Sequence, residues 1–313
     1  MAPATKAKSP KPKSSPKAKS TGSRSARRNW FFRPWALLGG IVTVTTIVLA
    51  PSVPLLLPHI EELPEYQFEM ADIEVNAPNR WVPQTILDDS LREAHLPKRV
   101  SLLKNDLCRD VALALEAHPW VQKVESVQIT GKPALRASLV YRHPVAFVDT
   151  SVGLYPVDEH GVVLPPQDFS LRQIDQLPHI RGVVSQPLGG TGAAWGDTTV
   201  QAAANLAALL APDGDLSTYW QRFDLVAIIA PEIDNLAPQP EDLVFELETN
   251  GGSRIIWGQP PGTDQLEPSV DQKLARLEQY LLRFGSFDAP NGPYRIDIRL
   301  FDSISLQPLR VTR

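Results

Sequence analysis

Histidines and acidic residues are the side chains of this sequence best suited to acid/base or metal chemistry. Two histidines spaced as in His-Glu-x-x-His would place both rings on one helix face to bind zinc, but no pair here has that spacing. The one dense acid/base cluster is Asp158-Glu159-His160, directly before Gly161. We interpret this cluster as a solvated hairpin tip rather than a catalytic group. The six histidines are His59, His95, His118, His143, His160 and His179.

Motifs for nucleotide binding and for nucleophilic catalysis are missing from the sequence. The run Gly189-Gly190-Thr191-Gly192 lacks the Gly-Lys-Ser/Thr of a phosphate-binding loop, so we interpret it as a flexible connection. No Gly-x-Ser-x-Gly elbow is present. The single cysteine, Cys108, excludes an internal disulfide and a cysteine-rich zinc site, and it is predicted to be a small buried helix residue. We therefore expect no enzymatic activity, no cofactor, no metal and no small-molecule substrate.

Charge is divided unevenly along the 313 residues. Residues 1–34 hold ten of the 31 lysines and arginines and no acidic residue, which leaves 21 basic against 35 acidic side chains in the rest. This tail consists largely of Lys, Pro, Ser and Ala, so it cannot bury a core and is predicted to be disordered. Such tails can bind nucleic acid through counterion release. Membrane topology and anionic lipid explain the same charge, so no nucleic-acid partner is expected.

An uncharged apolar segment follows the tail. Residues 35–57 supply about the 20 positions that a helix needs to cross the hydrocarbon layer, so a transmembrane helix is predicted there. Arginines precede the segment and glutamates follow it, which places the tail in the cytoplasm and the body outside it. A signal peptide cleaved after Ala50 is the alternative, and Pro51 together with the long basic preface argues against it.

Residues 66–148 are predicted to form a first extracytoplasmic module with the element order β-α-α-β-β. Alternation of apolar and charged residues indicates the strands, and an apolar stripe indicates the second helix. The predicted elements are a strand over 68–75, helices over 83–94 and 102–117, and strands over 121–129 and 135–148. The stripe consists of Leu103, Leu107, Val111 and Leu115.

Residues 149–307 are predicted to form a second, mostly antiparallel β-domain with flanking helices, before a short tail at 308–313. The chain as a whole is therefore expected to be an α+β protein. Asn250-Gly251 is typical of a tight hairpin in which both turn residues have positive φ. The other predicted elements are a helix from Asp197 to Leu210, a strand over 223–229, hairpin strands over 243–248 and 254–257, a helix between a Ser269 cap and Gly285, and a strand beginning at Tyr294.

Several motifs, taken in order, resemble the FtsQ/DivIB family of bacterial cell-division proteins. The first module carries His118-Pro119-Trp120-Val121 at a helix exit and then Tyr141-Arg142-His143-Pro144-Val145-Ala146, which look like the POTRA domain of that family. The second module carries elements similar to those of the family's β-domain. They are Val157-Asp158 with Gly161, Leu177-Pro178 with Gly182, and Ile296-Asp297-Ile298-Arg299. Leu300 or Phe301 stands where the family has tyrosine.

The resemblance implies a function as well as a fold. It implies a single-pass protein of the bacterial inner membrane with a periplasmic body at the division site, which recruits and regulates septal wall synthesis. The β-domain would bind the extracytoplasmic parts of FtsB-like and FtsL-like partners of the divisome, by strand addition at an exposed sheet edge over 294–305. The predicted contact residues are Tyr294, Ile296, Ile298, Arg299, Leu300, Phe301 and Ser303.

Two other function classes remain open from the sequence. One is a POTRA-bearing component of an export or assembly machine, although neither repeated modules nor the many amphipathic segments of a transmembrane barrel are present. The other is a wall-active enzyme, which would require carboxylates or histidines to converge in one pocket. Alternation in the last strand also has a simpler interpretation, because Ile296 and Ile298 fit a hydrophobic core.

Overall fold

The computed structural model describes residues 34–49, 63–131, 135–232, 239–263, 266–301 and 303–309. It divides the chain into two compact units, residues 1–59 and 60–313. In the first unit, helix α1 spans Pro34–Leu49. Residues 50–57 of the predicted membrane segment and the whole basic tail, 1–33, lie outside the described residues. Of the helices in the part of the chain that the structure describes, none has both the length and the apolar character needed to cross a membrane.

The second unit contains both α-helices and mixed β-sheets, which confirms the predicted α+β class. Its helices are α2 (Ile86–Glu93), α3 (Leu107–Glu116), α4 (Leu171–Ile174), α5 (Thr198–Leu209) and α6 (Val270–Phe284). Its strands are β1 (Gln67–Glu69), β2 (Glu74–Val75), β3 (Arg99–Ser101), β4 (Val121–Ile129), β5 (Leu135–Tyr141), β6 (Pro144–Asp149), β7 (Leu154–Asp158), β8 (His179–Arg181), β9 (Leu225–Ile229), β10 (Phe245–Thr249), β11 (Arg254–Gly258), β12 (Tyr294–Asp297) and β13 (Ser305–Pro308).

Three sheets organise these strands. A small sheet has the order β2-β5-β4, in which β2 runs parallel to β5 and β4 antiparallel to it. Strands β1 and β3 form an antiparallel pair of their own. The large sheet has eight strands in the order β13-β12-β11-β10-β9-β8-β6-β7. The element order β-α-α-β-β thus recurs in β2, α2, α3, β4 and β5, with the β1–β3 pair added.

Several local predictions in the first module are wrong. The strand predicted over 68–75 is interrupted by a 3-10 turn at Met70–Asp72, so β1 and β2 belong to different sheets. Leu103 precedes α3 and is exposed, whereas Leu107, Val111 and Leu115 are buried. The single strand predicted over 135–148 is two strands, because the chain leaves the small sheet after β5 and enters the large sheet at β6.

In the second module, the predicted helix ends agree with the structure better than the predicted hairpin turn does. The Asp197 carboxylate accepts the Thr199 N–H at 2.7 Å and caps α5, and α6 begins at a Ser269 capping box and ends at Gly285 with φ of 78°. The predicted Asn250-Gly251 turn is wrong. Positive φ occurs at Gly252 instead, within a three-residue loop closed by the hydrogen bonds between Thr249 and Ser253.

Helices α5 and α6 cover one face of the large sheet and form the main core with it. The strand register aligns Ile180, Ile228, Leu247, Ile255 and Ile296 in one row across five strands, and each of these side chains is fully buried. The helices contribute apolar side chains against this row, among them Val200, Ala203, Ala207, Leu274 and Leu277. Burial of one apolar face therefore fixes the register of these strands, because a slip of one residue would expose the whole row.

A second core lies under the small sheet and includes residues from both modules. Trp120 is fully buried there, and its indole N–H donates to the Asp168 carboxylate at 2.7 Å. Phe169 stands 5.7 Å from the Trp120 ring and 5.3 Å from Phe147, which belongs to the large sheet. We call this contact surface between the small sheet with its helices and the large sheet the junction. Its apolar contacts pack the two modules against each other.

Candidate partner-binding interface

The last strands of the large sheet position the residues that the sequence predicts as partner contacts. Strand β12 pairs in parallel with β11 and antiparallel with β13, so the edge predicted over 294–305 is wrong: β12 is an inner strand. Tyr294, Ile296 and Ile298 are buried in the main core. Their alternation therefore reflects core packing, as the simpler interpretation of the strand has it.

Strand β13 is the outermost strand of the large sheet among the described residues. Leu309 donates its N–H inward to the Pro293 carbonyl at 2.8 Å. Because backbone groups alternate in direction along an antiparallel strand, Leu306 and Pro308 direct theirs outward. Pro308 has no N–H, so the strand presents the Leu306 N–H and the carbonyls of both residues. A short edge of this kind limits which extended segment can pair with it.

A loop held by one arginine joins β12 to β13. Arg276 of α6 donates from Nη1 to the carbonyls of Ile298, at 3.0 Å, and of Leu300, and from Nη2 to the carbonyl of Phe301. The side chains of Leu300 and Phe301 are 50% and 58% exposed. Two of the predicted contact residues are thus apolar side chains on the surface, on backbone that α6 fixes in place.

Arg299 is already engaged within its own loop. Its guanidinium donates to both carboxylate oxygens of Asp297, at 3.0 Å and 2.7 Å, and its backbone N–H donates to the same carboxylate at 3.0 Å. These hydrogen bonds hold the pKa of Asp297 below its ordinary value and raise the pKa of Arg299. A partner carboxylate would have to compete with Asp297 for this arginine.

A groove between α6 and β13 adds a feature that the sequence analysis missed. The groove has a volume of about 420 Å³. Tyr280, Phe284, Ile304 and Leu306 line it with apolar surface, Arg276 and Arg283 flank them, and the predicted contact residue Ser303 also lines it. Phe284 and Leu306 remain 44% and 45% exposed. The sequence signal was Phe284, an aromatic residue in the last turn of the helix predicted before Gly285.

Burial also affects an ionisable group of this groove. Tyr280 stacks on Phe287 with ring centroids 5.3 Å apart and lies 4.6 Å from the Phe284 ring. Desolvation raises the pKa of the Tyr280 phenol above its ordinary value. The phenol is therefore a neutral donor and acceptor at physiological pH. Together with the strand edge and the two arginines, it completes a surface of mixed apolar and basic character suited to an extended acidic segment.

The residues with potential acid/base chemistry lie outside this groove. Of the acid/base cluster, Glu159 and His160 are exposed, but the interpretation of Asp158 as solvated is wrong, because this carboxylate is buried and paired with Arg142. His179 lies 2.6 Å from Asp149 on the large sheet. Cys108 is half-buried on α3. His59 lies outside the described residues. Within the described ranges, no three or more His, Cys, Asp or Glu side chains group as metal ligands.

Comparison with known proteins adds no support to the resemblance to the FtsQ/DivIB family, which is based on the sequence motifs. No family model matches the sequence. No curated protein matches it either.

Proposed function

We propose that this chain is a non-enzymatic scaffold of the bacterial cell-division machinery, similar in role to FtsQ/DivIB proteins. It is anchored by the segment 35–57 in the inner membrane, with its basic tail in the cytoplasm and residues 60–313 in the periplasm. There it binds FtsB-like and FtsL-like partners and helps to recruit and regulate septal wall synthesis. The order of motifs from His118 to Arg299 supports the family, and the charge asymmetry around 35–57 supports the topology.

The observation that carries the proposed binding is the outer edge of β13, which pairs with no further strand among the described residues and lies beside the groove of α6. An extended partner segment adds to the sheet by pairing with the Leu306 N–H and the outward carbonyls. Its alternate side chains reach Phe301 on the loop or Phe284 in the groove. The interface thus lies one strand beyond the position that the sequence indicates, while Leu300, Phe301 and Ser303 keep the predicted contact role.

Charge selects among possible partner segments. Arg283 lies with its guanidinium carbon 5.2 Å from the Phe284 ring centroid, and the structure gives it no carboxylate partner within the described residues. Arg276 is held by the loop carbonyls. Acidic side chains that flank the apolar anchors of the partner would therefore pair first with Arg283. The expected partner is an extended segment with alternating apolar residues and at least one carboxylate.

A binding measurement with the full chain in mild detergent tests the proposal. Purified extracytoplasmic segments of FtsB-like and FtsL-like proteins from the same genome are titrated against the wild type and against Phe301→Glu and Leu306→Glu variants. Affinity is expected to fall at least about tenfold, or about 1.4 kcal/mol, in each variant. Val184→Glu is the matched control, because Val184 is 93% exposed in another region.

Each outcome has a definite meaning. Equal loss in the control variant would place the interface elsewhere, and unchanged affinity in Phe301→Glu and Leu306→Glu would exclude the β13 edge. Failure of the wild type to bind either segment would overturn the assignment of partners.

A further inference from the structure

The junction contains two histidines, the buried His118 and the half-buried His143, and both lie near charged groups from both modules. Only Arg142 and His143 separate β5 of the small sheet from β6 of the large sheet. Arg142 donates its N–H to the Trp120 carbonyl at 2.9 Å, directly after the turn that contains His118. This hydrogen bond continues the β4–β5 pairing of the small sheet, and both histidines lie within two residues of it, at the end from which the chain enters the large sheet.

His118 accepts a hydrogen bond that only a neutral ring can accept. Its Nδ1 lies 3.3 Å from the Trp120 backbone N–H, in a buried environment. Protonation of Nδ1 would place two donors against each other and leave the Trp120 N–H without an acceptor. The Trp120 indole in turn donates to Asp168 across the junction, so the position of this residue depends on the state of His118.

Burial opposes a charge on His118. Desolvation lowers the pKa of its ring, and it outweighs the opposite effect of three carboxylates, Glu93 and Asp89 on α2 and Asp168 across the junction. The ring is therefore neutral in the closed junction at neutral pH.

His143 lies where two cavities meet. Cavities of about 920 Å³ and 310 Å³ are both lined by His143, together with Leu177 and Leu216. A Cβ atom added to Gly214 would lie only 2.6 Å from Nε2 of His143, so the loop at 212–214 packs closely on the imidazole edge. This contact leaves no space for a hydration shell on that side of the ring.

The charges around His143 come from both modules. Desolvation lowers the pKa of this ring, the Arg80 guanidinium lowers it further, and Glu159 opposes the shift. Arg80 is held near the junction, with its guanidinium carbon 4.7 Å from the Trp81 ring centroid. The larger cavity is also lined by Asp175, His179, Arg181, Asp213 and Asp215. A protonated His143 would thus be a half-buried cation beside the Arg80 cation.

We infer that the junction is an acid-responsive joint, in which protonation of His118 and His143 loosens the small sheet and its helices from the large sheet. The direction of the pH dependence follows from the difference in proton binding between the closed and the open junction. The closed junction favours neutral rings, so its stabilisation is complete above the ordinary histidine pKa of about 6.5 and declines as pH falls below it. An open junction hydrates both rings and accepts the protons. Acidification of the compartment would therefore increase motion between the modules.

Hydrogen exchange in the full chain tests this inference. Protection factors, corrected for the intrinsic pH dependence of exchange, are measured for the indole N–H of Trp120, which donates to Asp168 across the junction, at about pH 7.5 and about pH 5.5, on either side of the histidine range. The amide of Leu247, in the centre of the large sheet, reports global unfolding. Protection of the Trp120 indole N–H is expected to fall about threefold or more relative to Leu247.

Variants separate the histidines from other titrating groups. In the double variant His118→Gln/His143→Gln the fall is expected to disappear, because glutamine offers an uncharged acceptor. His95→Asn is the matched control, since His95 is exposed and has a φ of 54°, which asparagine tolerates. An equal fall in the double variant, or none in the wild type, would overturn the inference. If the double variant does not fold, His143→Gln alone should show a smaller fall than the wild type, and an undiminished fall would overturn it.

Discussion

Arg142 and Asp158 form a buried ion pair across the junction, with Nη1 2.6 Å from Oδ2 and side chains only 15% and 2% exposed. Asp158 also accepts the backbone N–H groups of His160 and Val162 at 2.9 Å and 2.8 Å. Arg142 follows the last residue of the small sheet, whereas Asp158 ends a strand of the large sheet. One charged contact thus connects the two sheets where the chain crosses between them.

Removal of Asp158 should destabilise the protein more than removal of Arg142. Asp158→Ala leaves a buried guanidinium and two backbone donors without partners, so the free energy of unfolding should fall by about 3 to 5 kcal/mol. Arg142→Met should have a smaller effect, because Asp158 keeps its two backbone donors. Urea unfolding measures both. Glu69→Ala, which breaks the exposed Arg99–Glu69 pair, is the control and should change stability by less than about 1 kcal/mol. A larger loss in Arg142→Met would contradict this account.

The buried ammonium group of Lys273 should interact strongly with the Glu267 carboxylate. Lys273 is 1% exposed, lies 2.7 Å from Glu267, and stands 5.2 Å from the Trp257 ring centroid. Lys273→Met should lower the free energy of unfolding by about 3 to 5 kcal/mol, because it leaves the carboxylate without its cation. Adding Glu267→Gln should recover part of that loss. A double-mutant cycle in urea measures the coupling, and strictly additive effects would disprove it.

Gly252 should be needed for its backbone conformation alone. Its φ is 87°, and an added Cβ would meet nothing closer than 3.8 Å, so the space is available but the conformation is unfavourable for other residues. Gly252→Ala should lower the free energy of unfolding by about 1 to 2 kcal/mol. Gly153→Ala is the control, since that position has an ordinary φ and open space around it. Similar thermal midpoints for the two variants would refute the explanation.

Because of the Asp297–Arg299 contact, the free energy of unfolding should fall as the pH is lowered into the acidic range. Hydrogen bonds from Arg299 lower the folded-state pKa of Asp297 below 3.8, the value expected in the unfolded chain. The resulting stabilisation is complete above about pH 4 and is lost as pH falls through the folded-state pKa. The difference in unfolding midpoint between the wild type and Asp297→Asn should therefore shrink as pH is lowered from 7 toward about 3. A difference that stays constant with pH would rule out this contribution.

Arg276 should hold the loop that presents Leu300 and Phe301. Replacing it by methionine removes donors from three carbonyls, so amides 299–304 should exchange faster while the core of the large sheet stays protected. Arg283→Met is the matched control, because Arg283 lies on the same helix and contacts the Phe284 ring rather than the loop. Equal acceleration in both variants would show that loss of charge, not loss of the loop contacts, is responsible.

Helices were the most predictable elements of the fold. The Asp197 and Ser269 caps and the Gly285 stop are local signals, and the structure has them as predicted. Strand β4 was also predicted with its observed bounds. Period and capping depend on neighbours within one or two turns, so a sequence can report them directly.

Sheet membership and exposure could not be obtained in this way. Residues 135–142 alternate and residues 144–148 are all apolar, and both patterns fit a strand. The chain nevertheless changes sheets at Arg142, because neither pattern specifies a partner strand. For the same reason, the sheet edge was predicted one strand too early. Strand β13 pairs with β12, and no local pattern indicates that pairing. Asp158 looked like a turn residue until the fold brought Arg142 against it.

The sequence by itself thus determined the α+β class, the ends of α5 and α6, and the motifs that resemble FtsQ/DivIB proteins. The tertiary structure alone decided which strand is the edge, which apolar side chains beside it stay exposed, and which charges are buried between the sheets. The physical reason is the distance along the chain between the residues that interact. Capping and periodicity are properties of adjacent residues, whereas burial and pairing depend on segments that are distant in the chain, such as Arg276 and Phe301 or Arg142 and Asp158.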